Sequence, residues 1–437
     1  MAVQAGSTMK VDIVSPGIYT YGSLVLGGIL KEKGHAVSIT RKLESHGNAT
    51  LLSLFSTLQL LDPKIIKFVA SREDVYVGGP VGMCPEMVLG ELDAKAVVIG
   101  EGEEIVSDLV MRGPEDLPGV AYKQDGKVIK TPPQPVVSLD HTVPLIPEDL
   151  SQQSVRGANI YIETHRGCLG NCTFCQVPRF FGRSIRSRSI ENIVAEVQEM
   201  KRRGVRRVAV SGGTGSLFGY RSSINRDAFV EMLRSLSSIL GKRNLSVPDM
   251  RVDLVDEEVL SAIRDYTIGW VFFGLETGSE RILRAMRKGV SVKDNREAIQ
   301  LAKSLGVRVG GSFIVGYPGE SRQDFEETMD FAEEAMLDDV FVSIAEPIPG
   351  TPLASQTLAV PEDELCLYQE HCGDAKALRL SEAEARCFEL MLHAESCKPV
   401  PRAITNDLYN TFLAEAKGQG RDIRRVIELL KKYREHV

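Results

Sequence analysis

Short apolar runs that end in small, flexible residues recur along most of this chain, and they restrict its fold more than any other feature. Val11-Asp12-Ile13-Val14 runs into Ser15-Pro16-Gly17. A helix-compatible segment follows from Ser23 to Lys33, Gly34 stops it, and His35 to Ile39 is the next run. Strand, glycine-bearing loop, helix, strand is a βαβ unit, which requires a parallel sheet covered by helices. Runs at residues 50–55, 75–77 and 96–99 continue the series. They end in Ser56-Thr57, Gly78-Gly79-Pro80 and Gly100-Glu101-Gly102-Glu103. Open α/β sheets bind ligands at the carboxyl ends of their strands, where such loops gather. Glycine there lets the backbone approach a phosphate or a flat ring.

A hairpin signal at Asp125-Gly126 and a proline-rich stretch (Thr131-Pro132-Pro133, then Val143-Pro144-Leu145-Ile146-Pro147) separate this series from a second one. Runs at 158–164, 205–210, 250–253, 270–276, 307–315 and 339–344 alternate with helical segments. One of these opens at Ser189 and carries Ile193, Val194, Val197 and Met200 at helical period. Repeated βα units of this kind predict a parallel barrel with its site on the C-terminal face. From residue 356 the chain is rich in Leu, Glu and Ala. Ser381-Glu382-Ala383-Glu384 caps one helix, and residues 422–430 form an amphipathic last one. The expected fold is therefore α/β: a Rossmann-like domain and linker over 1–150, a barrel over 151–355, and a helical domain over 356–437 covering the barrel mouth. A chain of 437 residues is long enough for several such domains. Residues 1–9 read as a loose leader.

The loop after the run at 158–164 reads Gly167-Cys168-Leu169-Gly170-Asn171-Cys172-Thr173-Phe174-Cys175. Thiolates hold iron well, and a C-x3-C-x2-C spacing lets one loop wrap one face of a small iron–sulfur cluster. Three cysteines hold three irons of a four-iron cubane and leave the fourth open to a small molecule. The competing reading is a zinc knuckle with His165 as fourth ligand. A zinc ribbon would continue with a second C-x2-C, whereas Pro178, Arg179, Gly182 and the helix from Ser189 follow here. Of the eight cysteines, Cys84, Cys366, Cys372, Cys387 and Cys397 remain, and none forms a C-x2-C pair. Idle thiols are the preferred reading over an auxiliary cluster built from the last four. This usage, without a basic-then-apolar opening, predicts a reduced, cytoplasmic setting.

With Phe174 ahead of the last cysteine, the loop resembles that of the radical S-adenosylmethionine (SAM) superfamily, and later motifs of that family follow in order. The resemblance implies a [4Fe-4S] cluster on Cys168, Cys172 and Cys175 whose open iron chelates SAM. One electron, from a ferredoxin- or flavodoxin-type donor, then cleaves SAM to a 5′-deoxyadenosyl radical. Phe174 is an implied cofactor contact. Gly212-Gly213-Thr214 matches the family's Gly-Gly-Glu motif at the SAM amino group, with Thr in the third place. Glu276, in Gly274-Leu275-Glu276-Thr277-Gly278, matches the position near the ribose, its other reading being a helix cap. Gly316 opens Gly316-Tyr317-Pro318-Gly319-Glu320, similar to the motif packed on the adenine. Arg287-Lys288-Gly289 and the Pro-Gly-Thr-Pro turn at 349–352 complete the series, and six units fit the family's partial (β/α)6 barrel.

Most of residues 10–140 resembles the cobalamin-binding domain that precedes many radical SAM domains, through the Gly78-Gly79-Pro80 and Gly100-Glu101-Gly102-Glu103 turns. Ser56, Thr57, Gly78, Gly79, Gly100, Glu101 and Gly102 are the implied cobalamin contacts. Many such domains carry a D-x-H-x-x-G loop. The equivalent stretch from Ser15 to Gly22 has no His, so cobalt would have no protein ligand or an oxygen from Tyr19 or Tyr21. Packing of these rings over the corrin is the alternative.

Taken together, the resemblance implies a cobalamin-dependent C-methyltransferase. One SAM supplies a methyl group through cobalamin, and a second yields the radical that removes hydrogen from an unactivated carbon. Relatives act on peptides, antibiotic precursors, lipids and tetrapyrroles, and some act on residue carbons of methyl-coenzyme M reductase; the motifs do not name the substrate, and a protein or peptide residue is one candidate with which the compact helical tail is compatible. The rivals are a cobalamin-using cyclase or rearrangement enzyme and a non-enzymatic carrier. A methylthiotransferase needs three amino-terminal cysteines for a second cluster, and only Cys84 precedes Cys168. A net charge of −7 disfavours a nucleic-acid partner. Arg179, Arg183, Arg186 and Arg188 nevertheless form a basic run beside the cysteines. It reads either as a contact to an acidic substrate, an electron donor or the amino-terminal domain, or as a solvated rim. No run approaches 18 apolar residues, so no membrane span is expected.

Overall fold

In the first half, mostly buried strands alternate with helices, β2 being a more exposed edge strand: β1 (Lys10–Val14), α1 (Tyr21–Glu32), β2 (Ala36–Thr40), β3 (Ala49–Ser53), α2 (Pro63–Ala70), β4 (Val75–Gly78), α3 (Pro85–Glu91), β5 (Ala96–Val98) and α4 (Val106–Arg112). The computed structural model describes residues 8–373, 377–400 and 403–436, so residues 1–7 of the leader lie outside it. A hairpin, β6 (Val120–Gln124) and β7 (Lys127–Lys130), follows. It turns through Asp125 and Gly126 with φ of 51° and 76°, the positive values a two-residue hairpin turn requires. All seven strands form one sheet in the order β2-β1-β3-β4-β5-β6-β7. β1 to β5 are parallel, and only the hairpin runs antiparallel. The order reverses between β1 and β3, which opens a crevice at their carboxyl ends.

The second half runs β8 (Ile160–Glu163), β9 (His165–Arg166), α5 (Val177–Phe180), β10 (Arg186–Ser187), α6 (Ile190–Arg202), β11 (Val208–Ser211), α7 (Arg226–Leu240), β12 (Leu245–Ser246), β13 (Asp249–Met250), α8 (Glu257–Tyr266), β14 (Trp270–Glu276), α9 (Glu280–Ala285), α10 (Val292–Ser304), β15 (Arg308–Val315), α11 (Arg322–Ala335) and β16 (Asp339–Ile344). Parallel sheets β12-β11-β8 and β13-β14-β15-β16 meet at Val247-Pro248. The strand expected at 250–253 is thus two short pieces followed by a helical turn at Val252–Leu254. Proline has no N–H for a ladder, yet the Pro248 carbonyl still accepts the Phe272 N–H at 2.7 Å. Alternate residues of β14, Val271, Phe273 and Leu275, enter the core beneath the helices.

α12 (Pro352–Ala359), α13 (Glu382–Ser396) and α14 (Asn406–Lys432) end the chain. α13 packs on β16 and α11, and α14 on β16, α12 and the turn Thr57–Leu61. Phe388 and Leu390 share a core with Val342 and Phe313, while Val426, Leu429 and Leu430 share one with Leu60 and Met87. The tail, expected as a helical domain covering the barrel mouth, flanks β16, reaches the carboxyl end of β15 at Gly316 through Ala383 and Cys366, and packs against both halves. Among the described residues no helix is long and apolar enough to cross a membrane.

Candidate active site

The cysteine loop leaves β9 and returns through α5. Gly167, at φ 96°, makes this path possible, because a Cβ there would lie 2.3 Å from the Ser184 carbonyl oxygen. Cys168 and Cys172 are buried, Cys175 is half-buried, and all three thiols are free. Gly170 crosses directly above them, its backbone N–H 3.4 Å from Cys168 Sγ. A Cβ on Gly170 would stand 3.4 and 3.6 Å from the sulfurs of Cys168 and Cys172. Arg179 holds the loop from below by donating to the carbonyls of Cys172 and Cys175 at 2.9 and 2.6 Å. Phe174 packs with Ile282, Met286, Ile314, Tyr317 and Leu353.

The strand-end residues converge on this loop to different degrees. A Cβ on Gly213 would be 4.0 Å from Cys168 Cβ, and one on Gly212 would enter the ring of His165 at 2.4–2.6 Å. Thr214 is buried behind them. His165 donates or accepts at Thr164 Oγ1 through Nδ1 (3.0 Å), and its buried Nε2 has no protein partner. Burial holds this imidazole down to about 4. Glu276 sits at a bulge in β14 with φ of 67° and accepts from Lys288 Nζ at 2.5 Å. Gly316 lies further off: its N–H is taken by Glu320 Oε2 at 2.7 Å, and a Cβ would meet Ala383 and Cys366 of the tail.

A second group of candidates surrounds a largely apolar cavity of about 450 Å³ between the two halves. Gly78, Gly79, Gly100, Glu101 and Gly102 line it at the carboxyl ends of β4 and β5, opposite Glu163, Arg166, Gln176, Phe180 and Phe181. Gly79, at φ 97°, lies so close to Leu54 that a Cβ would be 2.4 Å from its carbonyl oxygen. Tyr19 and Tyr21 also face the cavity, but both hydroxyls are engaged. Tyr19 donates to Asp149 at 2.8 Å; Tyr21 donates to Glu196 at 2.8 Å and accepts from Arg188 at 2.6 Å. Ser56 and Thr57 lie elsewhere, in a smaller pocket of about 170 Å³ beside Cys84 and Glu346. Ser56 there caps a short helical turn in a reciprocal bond with Gln59.

The basic run is divided between two tasks. Arg179 and Arg183 bind carbonyls of the cysteine loop. Arg186 pairs with Glu101 at 2.5 Å, and Arg188 with Glu196 at 2.7 Å and with Tyr21. Burial alone would raise the Glu101 carboxyl, but the hydrogen bond from Arg186 and the charge of Arg166 hold it below its ordinary range. Arg166 joins the same network through Glu163 and Glu103. Sequence reasoning missed Arg251, whose Nη1 stands 3.8 Å from Cys172 Sγ while Nη2 donates to the Lys288 carbonyl at 2.9 Å. The strand expected over 250–253 hid it, because the strand in fact ends at Met250 and leaves Arg251 at its carboxyl end.

The description of the radical SAM superfamily matches residues 162–332. MJ0865 of Methanocaldococcus jannaschii, provisionally named a methylthiotransferase, is 51% identical over 99% of this chain and 98% of its own length. The chain belongs to the radical SAM superfamily. TsrM from Kitasatospora setae, a radical SAM methyltransferase solved with cobalamin and a [4Fe-4S] cluster, covers 97% of this chain and all of its own at a TM-score of 0.67 and 14% identity. OxsB, a cobalamin-dependent radical SAM enzyme solved with aqua-cobalamin and SAM, covers 82% of this chain and 56% of its own at 0.61 and 19%. The α/β fold of this radical SAM enzyme is thus similar to theirs. Membership implies a [4Fe-4S] cluster and SAM, and the donors fit. Three free thiols stand under a glycine backbone, with the cations of Arg251 and Lys288 beside Cys172. Burial outweighs those cations, raising the Cys172 thiol and pushing that of Cys175 up to about 11, so the metal itself would draw off the protons on binding.

Proposed function

We propose that this radical SAM enzyme is a cobalamin-dependent C-methyltransferase acting on a protein or peptide residue. The reading rests on the cavity between the halves. It has glycine-rich strand ends on one side and the residues that follow Cys175 on the other, so a flat macrocycle there would face the cysteine loop. Its lining is largely apolar and its mouth is open, which suits a flat ligand that stays partly exposed. When bound, the cluster and SAM supply the 5′-deoxyadenosyl radical and the corrinoid supplies the methyl group. In this reading Cys168, Cys172 and Cys175 hold the cluster. Gly212 and Gly213 approach the SAM amino group, and Glu276, positioned by Lys288, meets the ribose. Gly78, Gly79, Gly100 and Gly102 form the floor under the corrin, and the rings of Tyr19 and Tyr21 pack at its edge. Glu101, held by Arg186 and Arg166, locks the floor to the barrel.

The name of the Methanocaldococcus jannaschii relative favours a second reading, methylthio transfer. That chemistry calls for a second cluster, and Cys84 is the one cysteine ahead of Cys168. The test is anaerobic reconstitution with iron, sulfide and hydroxocobalamin, followed by incubation with methyl-deuterated SAM, a reductant and a candidate peptide. One corrinoid per chain, 5′-deoxyadenosine and a labelled gain of one methyl in the peptide support the proposal. A gain that includes sulfur supports methylthio transfer. 5′-Deoxyadenosine with an unlabelled, rearranged product supports a cyclase, and no 5′-deoxyadenosine at all points to a carrier.

A further inference from the structure

α11 and α13 lie side by side, and near the carboxyl end of α13 three side chains of metal-binding chemistry converge. His393 and Cys397 are four residues apart and so share one helix face, while Glu333 reaches them from α11. His393 Nε2 stands 3.6 Å from Glu333 Oε2 and 3.8 Å from Cys397 Sγ. All three donor atoms lie within 4.8 Å of one another. Donors sharing a tetrahedral zinc ion sit roughly 3.3–3.8 Å apart, given bonds of about 2.0–2.3 Å. The two pairs through His393 already have this spacing, and Glu333 and Cys397, no more than 4.8 Å apart, would close by up to about 1 Å to share the ion.

The surroundings favour a cation. The end of α13 carries the negative pole of its helix, and the His393 carbonyl is drawn there by the Cys397 N–H and the Ser396 hydroxyl. Among the described residues Glu333 has no ion pair other than that with His393. Lys398, the adjacent cation, is turned to Glu395 at 2.6 Å and Asp339 at 3.7 Å. The remaining tail cysteines stand apart: Cys366 Sγ lies beside Gly316, Cys387 Sγ faces the Val342 carbonyl, and Cys372 Sγ faces that of Glu370.

We propose that Glu333, His393 and Cys397 bind one zinc ion with water in the fourth position. Imidazole, thiolate and carboxylate are donors that zinc accepts together, whereas magnesium and calcium ask for oxygen alone. Binding releases the Cys397 thiol proton to solvent. The ion straps the end of α13 to α11, away from the cysteine loop, and fixes the tail against the barrel.

The test uses full-length protein, prepared anaerobically with its cysteine loop loaded with iron and sulfide, and titrated with Zn²⁺ against a chromophoric chelator. One zinc per chain beyond the iron, bound at micromolar or tighter, and a rise in Tm on zinc addition are expected. Cys397→Ser and His393→Ala each weaken zinc binding at least about tenfold, and Glu333→Gln by a smaller factor. Iron content and zinc-free Tm stay at wild-type values, which shows that the variants fold. Zinc uptake that none of the three substitutions weakens, or no uptake beyond the cysteine loop, overturns the proposal.

Discussion

Lys288 and Glu276 are buried against each other beside the cysteine loop. Among the described residues neither has a second ionic partner. Burial works against the Lys288 ammonium, but Glu276 and the nearby Cys172 keep its pKa above the ordinary value. Removing one member of a buried pair leaves the other charged and uncompensated, at a cost of about 3–5 kcal/mol. Lys288→Met is therefore expected to lose that much stability in urea unfolding, and Lys288→Met with Glu276→Gln to recover most of it. A single substitution costing less than about 1 kcal/mol would show that the pair is not desolvated as described. Gly212 offers a steric counterpart. Gly212→Ala drives a methyl into the His165 ring, which is expected to cost about 1–3 kcal/mol and to lower the iron retained after reconstitution. His165→Ala in the same chain should restore part of both. Gly212 was legible in the sequence as one glycine of a Gly-Gly pair at a strand end. Its partner was not, because a lone His before a cysteine loop carries no sign of which backbone it supports.

At the scale of elements, strands with a single parallel register were legible, since apolar runs closed by glycine have few other ways to be buried. The third barrel strand was not. Its two pieces obey different neighbours, β12 following β11 and β13 following β14, and that division depends on a Pro248 seam which only the assembled sheet reveals. α14 was also underestimated. Gly418 and Gly420 interrupt the helical pattern, yet the helix continues through them from Asn406 to Lys432. Gly420 is where α13 and α14 approach: a Cβ there would lie 2.1 Å from Glu384 Oε1 and 2.5 Å from its Cγ. Glu384 cannot swing away freely, because it caps α13 through Ser381 and pairs with Arg424 at 2.6 Å. Alanine ordinarily stabilises a helix interior over glycine by about 1 kcal/mol. Gly420→Ala is nonetheless expected to destabilise this protein by about 1–3 kcal/mol, measured by chemical unfolding. A gain in stability would mean that the tail packs less tightly on α13 than this. The same helix covers the open edge of β16, where Gln419 accepts from Ile344 N and donates to Val342 O. That bond explains why the tail flanks the sheet: an unpaired strand edge is closed by whatever polar group reaches it.

For the whole molecule, the two halves meet through buried charge, and that charge responds to pH. Glu163 ends the first barrel strand, faces the central cavity and bonds to Arg166 Nε at 2.7 Å. Burial raises its carboxyl to about 7 from an ordinary 4.5, Arg166 offsetting part of the effect and Glu103 adding to it. A folded pKa above the unfolded one means that, between about 4.5 and 7, the folded chain keeps a proton the unfolded chain has released. Stability attributable to this group is therefore fully present below 4.5 and falls as pH rises to 7, by up to about 1.4 kcal/mol per pH unit. His141 and His165 oppose it, since burial lowers both to about 4. Between 4 and 6.5 the unfolded chain binds protons that the folded chain refuses, so these two add stability as pH rises. A raw stability curve would mix the contributions, but Glu163→Gln separates them. The histidines are common to both proteins and cancel in the difference. Wild type is expected to lose stability relative to Glu163→Gln from pH 4.5 to about 7, and to run parallel to it above that. A difference that stays flat across this range would mean that Glu163 is ionised throughout. The wall of the cavity beside Arg166 would then carry a fixed negative charge at neutral pH instead of one poised at its midpoint.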